Sequence, residues 1–526
     1  MNLPANIADA LLRVRTVIDK KRGVHVLHTD KIARQDRELL LRTHWLQEIM
    51  RGWYLLTRPD VAVGDSTPWY ASFWDFVSEF LEFNHGKEYC LSAECSLDVH
   101  VGDLTIPKQV IAISKKGSGV PLNLPYNTSL LIYPDPTRLP KEKQELNGLQ
   151  VMALPLALCR VNPNFFHHSP MKAESALRSL GDVSGLLDVI ITSNHKAAAE
   201  RLVGAYRFLG MNAMATDLEQ GLLTAGIVVK GKNPFELEAP LIKVAGVKSA
   251  SAMRILAMWG EYRSVVIANF SMLSSKIGKH DYLKKIQELY ERDAYNSLSI
   301  EGYQVTQELI ERVQNGDWSP EKTMEDSEKI NALAARGYYE AFQEVKKSIN
   351  TILDKANPGG VVHEDMSSWY QKLFGPAVRT GLLRASDLFG WRKNQVYIRG
   401  SRHTPLGYHN VPEAMNVFFQ CLENEPDPRV RAVLGHFVFV YIHPYMDGNG
   451  RIARFLMNTQ FASGGYPWVV VPVEQRAKYF AALESASVDG DIGPFTRFID
   501  ALLHAFEDRG VGKKKAVTRH RSSKGK

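Results

Sequence analysis

The twelve residues from His443 to Arg454, His-Pro-Tyr-Met-Asp-Gly-Asn-Gly-Arg-Ile-Ala-Arg, constrain this chain more than any other stretch. They follow an apolar run, Val430 to Ile442, that fits a buried helix. Pro444 and the Gly-Asn-Gly run end that helix, so a tight loop must separate it from a second helix beginning near Asn449 or Gly450. A loop that opens a helix leaves backbone N–H groups unpaired and pointing outward, and with the helix dipole they form an anion site. Glycines let the backbone approach a phosphate closely, so phosphate is the natural guest. Arg451 and Arg454 are three apart, share a helix face above the loop and can grip further phosphate oxygens. Asp447, just before the glycines, is placed to hold Mg²⁺ bridging phosphate oxygens. His443 has an ordinary pKa near 6.5 and can take a proton from a hydroxyl at neutral pH. These groups suit phosphoryl-type transfer. Taken singly, His443 also fits a core histidine and Gly-Asn-Gly a polar turn. Nine such constrained positions at fixed spacing arise by chance about once in 10⁹ or less.

At these residues the sequence resembles the Fic family, whose motif reads H-P-F-x-D/E-G-N-G-R-x-x-R. Tyr445 stands where Phe is usual. In that family the aromatic anchors the loop in the core, so the tyrosine needs a partner for its hydroxyl or a path to water. The resemblance implies transfer of AMP from ATP, with Mg²⁺, to a Ser, Thr or Tyr hydroxyl of a protein. It implies that His443 deprotonates the hydroxyl and Asp447 holds the metal. Asn449 with the Gly448 and Gly450 backbone would hold the α-phosphate, and Arg451 and Arg454 the β- and γ-phosphates. Doc-type relatives that phosphorylate their target carry Lys where this chain has Gly450, which favours AMP transfer.

The resemblance extends to both sides. Upstream, Val396, Tyr397, Ile398, Arg399, Gly400 and Ser401, then His403 and Pro405, look like the family's flap, a short β-hairpin whose edge docks the target segment. An ordinary hairpin rim fits the same residues. Downstream, Gly465, Tyr466, Pro467, then Arg476 and Tyr479, look like the segment lining the nucleotide base, although Tyr479 also fits a core position. Before the motif, Ser297-Leu-Ser-Ile-Glu301-Gly302 lies in a helical stretch from about Tyr282 and matches the family's inhibitory pattern, S/T-x-x-x-E-G/N. Ser297 and Glu301 are four apart and face the same way on a helix, while Gly302 gives room for close packing or a helix end. By the resemblance, Glu301 pairs with Arg454 in the place of the γ-phosphate, so the guanidinium cannot also clamp a triphosphate.

The chain has 526 residues, 45% hydrophobic and 23% charged, enough for about three domains and unlike disordered composition. No apolar run approaches the roughly 18 residues that cross a bilayer, and residues 1–20 lack a signal-type apolar block, so we expect a cytoplasmic protein without a membrane partner. Four cysteines cannot form a disulfide framework, and Cys90 and Cys95 have no second pair at zinc spacing. The formal charge is +7, but residues 513–526 hold seven Lys/Arg and no acid, leaving 7 − 7 = 0 for the rest. We expect a solvated, disordered basic tail over 509–526.

Helix-period stretches at Ile7–Ile18 and about Arg34–Met50, followed by the aromatic segment Gly52 to Leu56, predict helices and then a wing. Trp45, Leu46, Ile49, Arg51, Gly52, Trp53, Tyr54, Thr57, Arg58 and Pro59 resemble the winged-helix entry of AbiEi-like antitoxins from type IV toxin-antitoxin systems. Leu91, Ser92, Ala93, Leu97 and His100 resemble that family's second domain. The resemblance implies DNA contacts by Arg34, Arg37 and Arg42 with Arg51 and Arg58 flanking the wing, although a protein-binding module or a basic solvated helix fits as well. From about 67 to 240 the pattern mixes strand-like runs (Leu104–Ser114, Leu130–Tyr133, Val189–Thr192, Gly226–Val229) with helical ones such as His195–Leu209.

The expected plan is thus multidomain: a winged helix over 1–65, an α/β or α+β domain over 66–242, a linking region over 243–280, and a mostly α-helical Fic domain with its hairpin flap over 281–508. The expected activity is that of a self-inhibited protein adenylyltransferase using ATP and Mg²⁺, with a protein target, DNA and the chain itself as candidate partners. A DNA-binding, antitoxin-like regulator with a silenced Fic half, or an enzyme that removes AMP, are the alternatives.

Overall fold

The computed structural model describes residues 3–20, 25–61, 64–242, 247, 249–272, 276–316 and 326–505; the expected basic tail lies outside the described residues. The chain divides into two compact units, residues 1–240 with 248–254 and 396–405, and residues 241–247 with 255–395 and 406–526.

The first unit opens with α1 (Leu3–Lys20), β1 (Val26–His28), a 3₁₀ turn, α2 (Arg34–Arg42), β2 (Leu46–Met50) and β3 (Trp53–Leu56). The three strands form one antiparallel sheet in the order β1-β3-β2. Its helices are amphipathic, and Ala10, Val14, Ile18 and Leu40 meet Leu27, Leu46 and Tyr54 in one small core. The helical period expected over Arg34–Met50 stops at Arg42, because His44 takes a left-handed conformation (φ +59°) and turns the chain into β2.

Next, α3 (Thr67–His85) lays Trp69, Phe73, Phe76, Val77 and Leu81 on a four-stranded mixed sheet. That sheet contains β4 (Tyr89–Leu91), β5 (Gln109–Ser114), β6 (Leu122–Leu124) and β7 (Thr128–Pro134), ordered β4-β5-β7-β6. Helix α4 (Ala93–His100) follows β4, and a two-stranded ribbon, β8 (Gln144–Leu146) and β9 (Leu149–Val151), precedes a run of helices. These are α5 (Leu154–Arg160), α6 (Phe165–His168), α7 (Pro170–Arg178), α8 (Ser184–Ser193), α9 (Lys196–Phe208) and α10 (Asn212–Thr224), packed around a second core. Strand expectations are corrected at three places. Val189–Thr192 is part of α8, where Leu186 and Ile190 sit four apart and both point into the core, a burial that overrides the β-branched run. Gly226–Val229 runs on from the end of α10 without a ladder, and only the second half of Leu104–Ser114 is a strand.

Residues 396–405 also belong to this first unit. They form an extended excursion with a turn at Gly400 (φ +71°) and contain no strand, so the expected hairpin is corrected to a turn. Hydrogen-bond partners taken from elsewhere in the unit account for this. The Gly400 N–H donates to Thr67 Oγ1 (3.0 Å), the Ile106 N–H donates to the Arg402 carbonyl (2.9 Å), and Arg399 pairs with Asp65 (3.3 Å).

The expected linking region contains α11 (Ala250–Asn269), whose first half, Ser251–Trp259, is buried on every side and therefore lacks the amphipathic period that marks a surface helix. The second unit is built from α12 (Lys279–Ile300), α13 (Gln307–Asn315), α14 (Asp326–Leu353), α15 (Pro358–Arg379), α16 (Val411–Asn424), α17 (Pro428–Ile442), α18 (Asn449–Gly464) and α19 (Arg476–Glu484). Helices α17 and α18 form its buried centre, with α14 and α15 packed on α18 and α12 on α14. Among the described residues no helix is long and apolar enough to cross a membrane.

Candidate active site

The loop between α17 and α18 is where the motif sits, and its local geometry follows from its residue types. His443 ends α17 in a left-handed conformation (φ +55°), with its N–H still donating to the Phe439 carbonyl (2.9 Å). Tyr445 anchors the loop: it is 3% exposed and stacks on Tyr370 with ring centroids 3.7 Å apart. Asn449, also buried, spends both ends of its amide on the same loop. Its Oδ1 accepts the Tyr445 N–H (3.0 Å) and its Nδ2 donates to the Tyr445 carbonyl (2.9 Å). Gly448 has φ +80°, and a Cβ there would stand 2.8 Å from the Phe374 ring, so only glycine fits. The outcome is a tight turn that delivers the N-terminus of α18, whose first N–H groups have no intrahelical acceptor.

The imidazole of His443 is fixed by one hydrogen bond. Nδ1 lies 3.1 Å from the Val440 carbonyl, which can only accept, so Nδ1 carries the proton and Nε2 keeps its lone pair. Burial pushes the His443 pKa down to about 4, with the Val440 carbonyl opposing and Arg392 adding to the depression. At neutral pH the ring is therefore in its base form. Asp447 is 65% exposed on its side chain; its Oδ1 accepts the Gly448 N–H (2.6 Å) and its Oδ2 lies 3.3 Å from Arg451 Nη2. Arg451 is buried, its guanidinium lying 5.1 Å from the centroids of both Tyr303 and Phe374.

Arg454 faces the end of α12. Its Nε donates to Ser297 Oγ (2.8 Å), and its Nη2 donates to the Ser297 carbonyl (3.0 Å) and to Glu301 Oε1 (2.7 Å). Burial alone would raise the Glu301 pKa; the Arg454 and Arg451 guanidiniums override it and hold the carboxylate below its usual range. Gly302 (φ +93°) ends the helix, with its N–H on the Ser299 carbonyl and the Tyr303 N–H on the Leu298 carbonyl. Glu301 also fills the space a side chain at position 450 would need, so its carboxylate stands at the mouth of α18.

The residues expected on the nucleotide-base side, Tyr479 and Arg476, are packed against the groups around Arg454 and the end of α12. Tyr479 is 1% exposed, with its hydroxyl 2.8 Å from His436 Nε2 and Phe495 and Phe498 around it. It is a core residue behind Arg454, on the face of α19 that also buries Ala482. Arg476 lies over Phe480 and donates from Nε to the Ile300 carbonyl (2.7 Å), capping α12. Among the described residues no group of three or more His, Cys, Asp or Glu side chains converges as a metal site. Mg²⁺ bound through substrate phosphates needs only one or two carboxylates, and the exposed Asp447 beside the helix mouth fits that lighter demand.

In comparison with known proteins, residues 361–461 match the Fic/DOC family. The C-terminal half carries a Fic/DOC domain. A curated "Protein adenylyltransferase Fic" from Drosophila ananassae is 43% identical over 113 residues, 21% of this chain and 22% of that protein. Its Drosophila erecta counterpart is 44% identical over the same length. The chain thus spans under a quarter of the length of the curated relatives it matches. A solved structure, "Fic-1 (aa134 - 508) from C. elegans", aligns over 66% of this chain and 99% of that one, with 21% identity and a TM-score of 0.37.

The fold brings His443, Asp447, Gly448, Asn449, Gly450, Arg451 and Arg454, all within the matched residues, together with Ser297, Glu301 and Gly302, which precede them. Sequence reasoning missed Tyr303, Phe374 and Tyr370, which wrap Arg451 and Tyr445, and Arg392, whose Nε donates to the His443 carbonyl (2.8 Å). A lone arginine about fifty positions before the histidine gives no spacing signal.

Proposed function

We propose that this protein transfers AMP from ATP to a hydroxyl of a protein, and that Glu301 holds the reaction off until it leaves Arg454. The observation that carries this reading is the pair of Glu301 Oε1 and Arg454 Nη2 at 2.7 Å, a carboxylate on the arginine one turn above an open helix N-terminus. In the reaction the target hydroxyl oxygen forms a bond to the α-phosphorus, the bond to pyrophosphate breaks, and the hydroxyl proton passes to His443 Nε2. The backbone N–H groups at Gly448 to Gly450 hold the α-phosphate. The Asn449 side chain, committed to Tyr445, shapes the loop that aims them. Arg451 and, once released, Arg454 hold the β- and γ-phosphates. Asp447 would hold Mg²⁺, which when bound neutralises charge on the phosphates.

The test uses ATP labelled at the α-phosphate with wild type, Glu301→Gly and Glu301→Gly/His443→Ala, each with and without host lysate. Label should enter protein strongly with Glu301→Gly, weakly with wild type and not with the double variant. Entry of γ-label instead would reassign the reaction to phosphate transfer. Loss of AMP from a pre-modified protein that needs Glu301 would favour the removing activity.

For the first sixty residues we infer a winged-helix module, supported by the order α1-β1-3₁₀-α2-β2-β3. Of the proposed DNA contacts, Arg34, Arg42, Arg51 and Arg58 are exposed, but Arg34 pairs with Glu38, and Arg37 turns to Thr29 and the Tyr54 ring. Arg42, Arg51 and Arg58 are therefore the ones to test by duplex binding.

A further inference from the structure

One buried cation in the second unit serves neither a carboxylate nor a nucleotide. Arg392 is 5% exposed and directs its whole guanidinium at main-chain carbonyls. Nε donates to the His443 carbonyl (2.8 Å), Nη1 to the Asn394 carbonyl (2.9 Å) and Nη2 to the Leu406 carbonyl. Its own N–H donates to the Pro444 carbonyl (2.9 Å). Asn394 and Leu406 are the two stems of the excursion 396–405, the segment read as the target-docking flap. One side chain thus ties both stems to the carbonyl of the residue that carries the base.

We propose that Arg392 is a positioning residue that sets the chain at Asn394 and Leu406 and the His443 loop in one register, so that the imidazole is held where it takes the proton. The proposal rests on the AMP-transfer reading for its catalytic consequence and on geometry for the rest. Three features of the site require such a strut. His443 sits in a left-handed conformation that a non-glycine residue holds only when its surroundings over-determine it, and its carbonyl is fixed by Arg392. The loop's other internal bonds, from Asn449 to Tyr445, lie beyond Pro444, and with the His443 N–H on the Phe439 carbonyl they leave the histidine's carbonyl to Arg392. The three acceptors are spread across separate strands of chain. A planar fork with five donors reaches them together, and a lysine ammonium reaches them only in part.

The experiment places Arg392→Gln and Arg392→Lys in the Glu301→Gly full-length protein and reads three quantities. The first is the affinity for a fluorescent ATP analogue. The second is the rate of α-label incorporation at saturating ATP. The third is amide hydrogen exchange of peptides covering 394–407 and 443–449. We expect analogue affinity within twofold of the parent, incorporation slowed about 100-fold by Gln and about tenfold by Lys, and faster exchange in both peptides together while α14 and α15 keep parental exchange. Parental incorporation, or loss of affinity and rate in equal proportion, overturns the proposal by making Arg392 dispensable or merely structural. Should the Glu301→Gly parent itself take up no label, the functional reading fails. Exchange then decides alone, and unchanged exchange in either peptide with Arg392→Gln overturns the positioning role.

Discussion

Removing one carboxylate from a buried ion pair leaves its guanidinium uncompensated, and that asymmetry decides what Glu301→Gly does to the apo protein. Arg454 then keeps only Ser297 as a hydrogen-bond acceptor among the three contacts it now makes. The loss is on the order of 3 kcal/mol, the lower end for breaking a buried pair, because Glu301 stays partly open to water. We expect the apo variant to melt several degrees below wild type, and ATP with Mg²⁺ to raise its melting temperature more than that of wild type, since phosphate oxygens restore the missing charge. Differential scanning fluorimetry checks both halves; equal nucleotide shifts would contradict competition for Arg454. His443 supplies a pH dependence. With its pKa near 4 it stays neutral above that value, so incorporation by Glu301→Gly should be flat from about pH 5 to 8 and fall only below. The stability effect has the same sign but sets in at higher pH: the unfolded histidine takes its proton near pH 6.5, so stability present above that pH declines as pH falls toward 4. A rate that already halves near pH 6.5 would mean an ordinary imidazole. Gly448→Ala meets both a positive φ and the Phe374 ring, and we expect a loss of about 1–3 kcal/mol in urea unfolding.

Helix α12, which we propose carries the brake, is held by more than its terminal glutamate. Along α12, Asp293 accepts from the Tyr338 hydroxyl (2.6 Å), Asn296 Oδ1 accepts the Val473 N–H (2.8 Å), and the Ile300 carbonyl takes Arg476 Nε (2.7 Å). Each such bond contributes roughly 1 kcal/mol, and one to a charged donor somewhat more. Arg476→Ala should therefore loosen the last turn of α12 and raise α-label incorporation about three- to tenfold, well short of Glu301→Gly; unchanged incorporation would show that the cap is irrelevant to the brake. The same elements explain what was legible in advance. Helix α17, the loop and α18 could be read because proline, glycines and an uninterrupted apolar run act locally, within a few residues of where they stand. The S-x-x-x-E-G pattern could be read because Ser297 and Glu301 share a helix face by spacing alone. Helix α8 and α11 could not. In one, core burial overrides β-branched residues, and in the other burial of Ser251–Trp259 on all sides erases the period. Arg392 and Tyr479 owe their places to contacts fifty-one and forty-three residues away, which no local pattern encodes.

At the scale of the whole chain the open question is which cations meet a polyanion. Residues 513–526 hold seven Lys/Arg and no acid, whereas the winged-helix reading rests on Arg42, Arg51 and Arg58, exposed within residues 1–60, which hold eleven Lys/Arg against seven Asp/Glu. These two sources differ in how they respond to salt. Each phosphate neutralised lowers log K by about 0.9 per decade of salt, so a tail using all seven charges would give a slope near −6 and a three-arginine contact one near −3. Both contributions vanish into one number if only the intact protein is measured. We therefore expect duplex binding, followed by fluorescence anisotropy from about 50 to 200 mM salt, to show a steep slope for the intact chain. Truncation after Gly510 should leave a shallower residue of binding. Arg42→Ala with Arg51→Ala and Arg58→Ala in the truncated protein should then abolish what remains, because those are the three arginines on which the winged-helix reading rests. Binding that disappears with the tail alone would assign every contact to unspecific charge and leave the module of α1, α2 and their sheet without a nucleic-acid role.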